Sequence, residues 1–460
     1  MADEKNIKTI NPATEEILKT YEWMSDAEMD QAIEECHNAY LKWRLVTPKD
    51  RAKIISKIGE KLTAHKEEFA QLMTSEMGKL VEQGKQEMEL CAAICEYTAK
   101  NGPEALQDEE RELPEGGKGL ITYSPLGVIY GIQPWNFPCY QAIRYSIANL
   151  MAGNGVLLKH AENVTGSALL LEKIYREAGV PENLFKVLLI THDQSDQVIE
   201  NDLVRGVTLT GSAKAGKTIA KKAGEKLKKT VLELGSNDAY IVLEDADVPK
   251  AVETCVNGRV YNNGETCVAA KRFIVTDKVY EEFKKAFVDQ MKNVKYGDPT
   301  KEDSDIGPMA RKDLRDTVHK QVQESVKKGA KILCGGELPD EKGYFYPATV
   351  LENLEPGQPA YDDEIFGPVA SLIRAKNAED ALRIANSSRF GLGGAIFSKD
   401  EQKAKDLAKH YFDTGMVFIN SFGLAKPNMP FGGVKDSGYG REHGGFGLHE
   451  FVNTKAVMFA

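Results

Sequence analysis

The chain has 460 residues, 42% hydrophobic and 28% charged, with a formal net charge of −10. That length suffices for about two to four domains, and the acidic balance excludes a general nucleic-acid binder, whose footprint is a basic patch. The N-terminal "MADEKNIKTI" lacks the basic start and apolar run of a secretory signal, and no stretch approaches the ~20 apolar residues that span a bilayer, so a cytoplasmic protein without a membrane partner is expected.

Seven cysteines without paired spacing suit a reducing compartment. Cys91 and Cys95 sit four apart, but no second pair or His cluster matches them. They are read as two small buried side chains, and no metal site is expected.

After a short extended lead, the first hundred or so residues read as helices. Ser25 and Glu28 form a capping box, after which Met29, Ile33, Cys36, Tyr40 and Trp43 share one helical face. Pro48 opens a second helix carrying Ile54, Ile55, Ile58 and Leu62 inward. "ELPEGGKGLITYSPLGVIYGI", near 110–132, is β-rich and punctuated by Gly and Pro, which predicts strands or a hairpin arm. From about 150 to 235, strands ("GVLLKH", "FKVLLI", "RGVTLT", "KTVLEL") alternate with helices over 165–178, "DQSDQVIE" and "AKAGKTIAKKAGEKL". That alternation predicts right-handed βαβ units and a parallel sheet, which binds nucleotides at the carboxyl ends of its strands. A second series follows: "AYIVLE", a helix near 247–263, "RFIVTD" and later "GMVFIN". The tail "HEFVNTKAVMF" reads as a strand that needs a partner, in the 110–132 arm or in another subunit.

"GSAKAGKT", with Gly211, Gly216, Lys217 and Thr218, spells the phosphate-loop signature G-x-x-x-x-G-K-T after a strand-like run. A nucleoside triphosphatase is disfavoured, because the loop would not follow the strand that opens its domain and no switch-like acid stands out. The weaker reading is a strand–Gly–Ser–helix turn that offers backbone N–H groups to a dinucleotide's pyrophosphate.

A second constellation accounts for more residues: Cys267 in "YNNGETCVAAKR", Glu233 in "VLELGS" and Asn136 in "PWNFP". A thiol that attacks, an amide that holds an oxyanion and a carboxylate that activates water are the parts of thioester chemistry on a carbonyl. The chain resembles the NAD(P)-dependent aldehyde dehydrogenases. "PWNFP", "AGNGVLLKHAE", "LTGS", "LELGS", "NNGETC", "DEIFGPV" and "FGGVKDSGYGRE" occur in family order across nearly the whole length.

The resemblance implies an α/β fold in three parts: a Rossmann-like parallel-sheet cofactor domain (1–106 and 126–235), an α/β catalytic domain (236–435) and a small β oligomerisation arm (107–125 and 445–460). The arm would make a homodimer or homotetramer. By family pattern Cys267 is the nucleophile, Asn136 the oxyanion donor and Glu233 the base that deprotonates the hydrolytic water. This set also argues against a dehydrogenase fold kept without chemistry. Cofactor contacts map onto Trp135, Asn136, Lys159, His160, Glu162, Gly211, Ser212, Leu234, Glu364 and Phe366. Glu162 would accept from a ribose 2′-hydroxyl and repel a 2′-phosphate, tilting the expectation from NADP towards NAD.

Substrate residues map onto Arg144, Phe137 and Tyr261. A guanidinium at 144 suits a carboxylate-tailed aldehyde, and the expected substrate is succinate semialdehyde, with other short or aromatic aldehydes open. The sequence departs from the family pattern in several places. A second Arg expected six residues before the nucleophile is Tyr261, "KPNM" replaces the Ser before "PFGG", Glu265 stands for Gln, and Ser236 stands for the second Gly of "ELGG". A carboxylate beside a thiol raises its pKa, so Glu265 should point away or be paired. Ser236 costs little if its φ is negative.

Overall fold

The structure, a computed structural model, describes residues 6–459. A hairpin, Asn6–Ile10 with Ile17–Glu22, leads into four helices, Asp26–Trp43, Pro48–Ala64, Lys66–Met77 and Val81–Ala105. The Ser25 capping box is present, and Thr47 caps the second helix in front of Pro48. Met29, Ile33, Cys36, Tyr40 and Trp43 are all buried, and the Trp43 indole donates to the Leu150 carbonyl at 2.9 Å.

Five parallel strands and one antiparallel edge strand make the first sheet. Its spatial order is Gly438–Tyr439, Lys229–Glu233, Val204–Thr210, Val128–Gln133, Gly155–His160, Phe185–Val187. Helices cover both faces of the inner strands: every residue of Gly155–His160 is buried. "FKVLLI" pairs only over 185–187 and then leaves the sheet. In chain order Val128–Gln133 comes first, the next two strands extend to one side, and the last three to the other. The winding therefore reverses between Val128–Gln133 and Val204–Thr210. A crevice opens at the carboxyl ends of two such strands, where Pro134–Phe137 and Gly211–Ser212 emerge.

The second sheet has seven strands, Lys331–Cys334, Thr349–Glu352, Val369–Ala375, Arg272–Thr276, Ala239–Val242, Gly394–Phe397 and Phe418–Ile419, all parallel except the first. Apolar clusters around Phe273, Phe283 and Phe287 on one side, and Ile274, Leu351 and Ile396 on the other, cover its faces. Only residues 234–238 separate the carboxyl end of Lys229–Glu233 from the amino end of Ala239–Val242. The carboxyl edge of one sheet thus meets the amino edge of the other.

The tail strand Val452–Phe459 pairs antiparallel with Lys118–Pro125, which also pairs with Glu109–Glu112. The partner that the tail required is therefore in the same chain.

Two buried carboxylates tie these parts together. Glu76 accepts from Gly166 N–H (2.8 Å), Ser167 N–H (3.0 Å) and the Ser167 hydroxyl (2.7 Å) at the start of helix Thr165–Glu177. Glu87 accepts from Cys139 and Tyr140 N–H, both at 2.9 Å, at the start of helix Pro138–Ala152, where dipole and free amides favour an anion. The other oxygen of Glu87 pairs with the fully buried Lys79, whose ammonium lies 3.8 Å from the centre of the Phe137 ring. Glu87→Ala would strand that ammonium without a counter-charge. Denaturant unfolding should show a loss of about 3–5 kcal/mol, against less than about 0.5 kcal/mol for an exposed control such as Glu60→Ala.

Candidate active site

Cys267 lies on the loop that enters Arg272–Thr276 at its amino end. Helix Val248–Val260 gives way to a tight turn, Tyr261–Gly264, in which Asn262 (φ +53°), Asn263 (φ +57°) and Gly264 (φ +74°) are all left-handed. Asparagine and glycine tolerate that region best. A Cβ at 264 would stand 2.5 Å from the Gly367 backbone, so glycine is required there.

Side chains over-determine the turn. Asn262 donates to the carbonyls of Asn136 (3.0 Å) and Glu265 (3.1 Å). Asn263 donates to Gly78 (3.1 Å) and Pro308 (3.0 Å) and accepts from Gly307 N–H (2.7 Å). Arg259, fully buried, donates to the Gly264 carbonyl at 2.7 Å. The Asn-Asn-Gly run was visible in the sequence, but its task of locking this loop was not.

Asn136 meets that loop directly. Its Nδ2 donates to the Glu265 carbonyl at 3.0 Å, and Gln141 Nε2 donates to its Oδ1 at 3.2 Å. The second bond sets the amide orientation, with the NH2 towards the loop that carries Cys267. Burial pushes the Cys267 thiol up to about 11, while the cations of Arg144 and Lys271 pull it down and Glu233 and Glu364 push it further up. Glu233 is 2% exposed, and neither carboxyl oxygen has a hydrogen-bond partner. Burial raises it to about 8, against the pull of Arg144. Its Oε1 lies 2.8 Å from where a Cβ on Gly432 would stand. Glu265 points away from the thiol: its carboxyl accepts from Ala310 N–H at 3.1 Å.

Trp135, Asn136, Gly211, Ser212, Leu234, Cys267, Glu364 and Phe366 line one cleft of about 270 Å³ at the strand-order reversal. Its fit to a dinucleotide can be tested on these residues. Gly211 has no neighbour closer than 3.8 Å to a notional Cβ, which leaves its backbone open to a ligand. Ser212 caps helix Ala213–Glu225 by accepting from Ala215 N–H at 3.2 Å, which sets a helix N-terminus at the cleft. The Trp135 and Phe366 rings meet edge to face at 5.8 Å. The Glu364 carboxylate accepts from Ser236 N–H at 3.0 Å. The donor set fits a pyrophosphate and a ribose.

Lys159, His160 and Glu162 line a separate narrow pocket beside Leu188–Ile190. His160 is committed within the chain. Its Nε2 faces the Pro138 carbonyl at 2.8 Å and its Nδ1 accepts from Ala161 N–H at 3.0 Å. Burial holds it down at about 4, and the ring stays neutral. Glu162 is exposed, and burial lowers the Lys159 ammonium.

The three expected substrate residues are not equivalent. Phe137 stacks on Tyr261 at 6.5 Å. Arg144 is 2% exposed and absent from the Cys267 cleft. It pairs with Glu442 and donates to the Thr210 hydroxyl at 2.6 Å, while its Nη1 has no hydrogen-bond partner. It lines a second cavity of about 170 Å³ with Ala148, Pro427 and His443.

The phosphate-loop residues have other tasks. A Cβ on Gly216 would stand 2.5 Å from Leu234, so glycine there permits helix–strand packing. Lys217 pairs with Asp436 at 3.2 Å with 68% of its side chain exposed, and Thr218 donates to its own helix. Among the described residues no cluster of His, Cys, Asp or Glu is placed to hold a metal ion, and no helix is long and apolar enough to cross a membrane.

A profile of the aldehyde dehydrogenase family matches residues 1–457. The chain is 43% identical to the succinate semialdehyde dehydrogenase [NAD(P)+] of Escherichia coli (strain K12), over 98% of this chain and 97% of that one. It is also 43% identical to the succinate-semialdehyde dehydrogenase [NADP(+)] of Mycobacterium avium (strain 104), over 98% and 96%. The succinic semialdehyde dehydrogenase of Streptococcus pyogenes, solved with NADP+, superposes with a TM-score of 0.95 at 38% identity, covering 98% of this chain and 99% of that one.

Because Lys217 is an exposed surface pair, Lys217→Ala should change nucleotide affinity by less than about twofold. Gly216→Val should weaken it by about tenfold or more, by forcing Leu234 and the helix apart. Fluorescence titration with each variant checks both.

Proposed function

The chain belongs to the aldehyde dehydrogenase family and oxidises an aldehyde with a nicotinamide dinucleotide; we propose that the aldehyde is succinate semialdehyde and that Cys267, Asn136 and Glu233 carry the chemistry. One observation supports this most: a thiol and an oriented amide share one cleft, and a buried carboxyl with no hydrogen-bond partner acts on that thiol from the end of strand Lys229–Glu233.

Trp135, Gly211, Ser212, Leu234, Glu364 and Phe366 would hold the cofactor, which supplies the hydride acceptor when bound. Cys267 attacks the aldehyde carbon and keeps it covalently attached until water releases the acid. Asn136 Nδ2 donates to the carbonyl oxygen as that oxygen gains charge. Glu233 takes the proton of the water that hydrolyses the Cys267 thioester. A carboxyl raised to about 8 is a far stronger base than one in water, and neither of its oxygens is committed to a protein donor.

Arg144 lies outside the cleft but close enough to act on the Cys267 thiol, and on it the choice of substrate rests. Its Nη1 is a buried donor without an acceptor, and a carboxylate tail would supply one. The expected lean towards NAD finds no support: the Escherichia coli relative is named for NAD(P)+, the mycobacterial one for NADP+, and the Streptococcus pyogenes structure holds NADP+. We read Glu162 as too exposed to repel a 2′-phosphate, and both cofactors as accepted. In this reading the first sheet and its helices (1–106 and 126–235) form the cofactor domain and 236–435 the catalytic domain. Residues 107–125 and 445–460 form an arm whose exposed tail strand joins a second copy in a homodimer or homotetramer.

Absorbance at 340 nm with succinate semialdehyde and each cofactor tests the activity. Cys267→Ala should abolish it while nucleotide binding persists, and residual turnover would mean a different nucleophile. A general base works unprotonated, so hydrolysis of the acyl-enzyme should climb with pH and level off above about 8. Glu233→Gln should remove that climb and slow the step by about 10²-fold or more. Arg144→Ala should raise KM for succinate semialdehyde about tenfold or more relative to an uncharged aldehyde of similar size. Equal changes for both would remove the substrate assignment.

A further inference from the structure

Lys271 has a place that none of this chemistry uses. It is 3% exposed, and its Nζ lies among four oxygens: the carbonyls of Cys267 (2.6 Å) and Thr266 (3.1 Å), the Ser236 hydroxyl (2.8 Å) and the Glu364 carboxylate (3.3 Å). The Ser236 hydroxyl donates to the same Cys267 carbonyl, and the Ser236 N–H donates to Glu364 at 3.0 Å. An ammonium has three protons, so four acceptors compete for it.

We propose that Lys271, held by Ser236, is a positioning residue that sets the reactivity of the Cys267 thiol, and that Glu364 draws its charge away from that thiol. The proposal rests on Cys267 as the nucleophile. Lys271 is anchored to the backbone of the very residue whose sulfur reacts, from four positions along the same loop. It cannot drift, because solvent does not reach it. Ser236 then has a reason to differ from the glycine of the resembling family. Glycine would remove both the hydroxyl that steadies Nζ and the second donor on the Cys267 carbonyl, and Ser236 lies outside the left-handed region, where the added Cβ would be strained.

The charged groups that act on the thiol come from every side. Arg144 on helix Pro138–Ala152 and Lys271 on its own loop favour the thiolate. Glu233 at the end of its strand and Glu364 on the facing loop oppose it, against a background of burial that favours the thiol. Arg144 is already paired with Glu442 and Thr210, whereas Lys271 has no carboxylate partner except Glu364.

The test is alkylation of Cys267 by iodoacetamide in the full-length protein without cofactor, followed at the Cys267 peptide by mass spectrometry from neutral to alkaline pH. Lys271→Gln should move the profile to higher pH and slow alkylation at neutral pH about tenfold, one unit of thiol pKa. Lys271→Arg should restore it. Glu364→Gln should move the profile to lower pH, and Lys271→Gln placed on top of it should cancel most of that gain. A Lys271→Gln profile that overlays the unaltered protein would overturn the proposal. So would a Glu364→Gln gain that survives loss of Lys271, or the absence of any such gain, and the Glu364 arm keeps the test open if Lys271→Gln fails to fold. An error in the nucleophile itself would show differently, as turnover surviving Cys267→Ala.

Discussion

Glu233 ends one parallel sheet, and the chain needs only residues 234–238 to begin the next at Ala239. So short a link forces the carboxyl edge of the first sheet against the amino edge of the second. Loops leave a parallel sheet at carboxyl ends and arrive at amino ends, so two sets of loops face each other across one gap. The segment after Gln133, the turn after Thr210 and the loop before Arg272 all open into it. Groups far apart in the chain become neighbours without any of them lying on a long excursion.

Burial of the groups around that gap governs the chemistry. Burial alone pushes Cys267 towards the thiol and Glu233 towards the neutral acid. A thiolate or a carboxylate there would need charge brought in by other means. Arg144 and Lys271 both pull the thiol down, each tied to buried oxygens. Glu265 shows the opposite treatment: a carboxyl in the same loop, turned away from the sulfur and satisfied by Ala310 N–H.

Much of the first sheet was legible because its strands are short, apolar and separated by well-capped helices. "GVLLKH" coincides with Gly155–His160, and the Ser25–Glu28 box caps the helix it predicted. The second sheet was less legible. Thr349–Glu352, Val369–Ala375 and Gly394–Phe397 lie in segments whose patterns do not separate a buried strand from other apolar runs, and the last two pair with the far earlier strands Arg272–Thr276 and Ala239–Val242. In the candidate site, residues with a signature stood out: Cys267, Asn136, Glu364 and Gly211 do share a cleft. Residues that act by holding others left no mark. Gln141, Asn262, Glu87 and Lys271 are ordinary polar side chains until their partners are known. Two expectations met physical obstacles: both ring nitrogens of His160 are spent inside the chain, and Arg144 is locked to Glu442 outside the cleft.

The sequence by itself determined the family, the alternation of strand and helix, and the kinds of group available for chemistry, because periodicity, caps and motif order are local properties of the chain. Only the tertiary structure decided what each group faces. Whether a glycine serves a phosphate or a leucine, whether a buried lysine has an acceptor, and whether a carboxyl is wet or dry all depend on atoms brought from distant segments. Gly216, Lys271 and Glu233 each answer one of those questions, and in each case the answer comes from a residue that the local pattern does not contain.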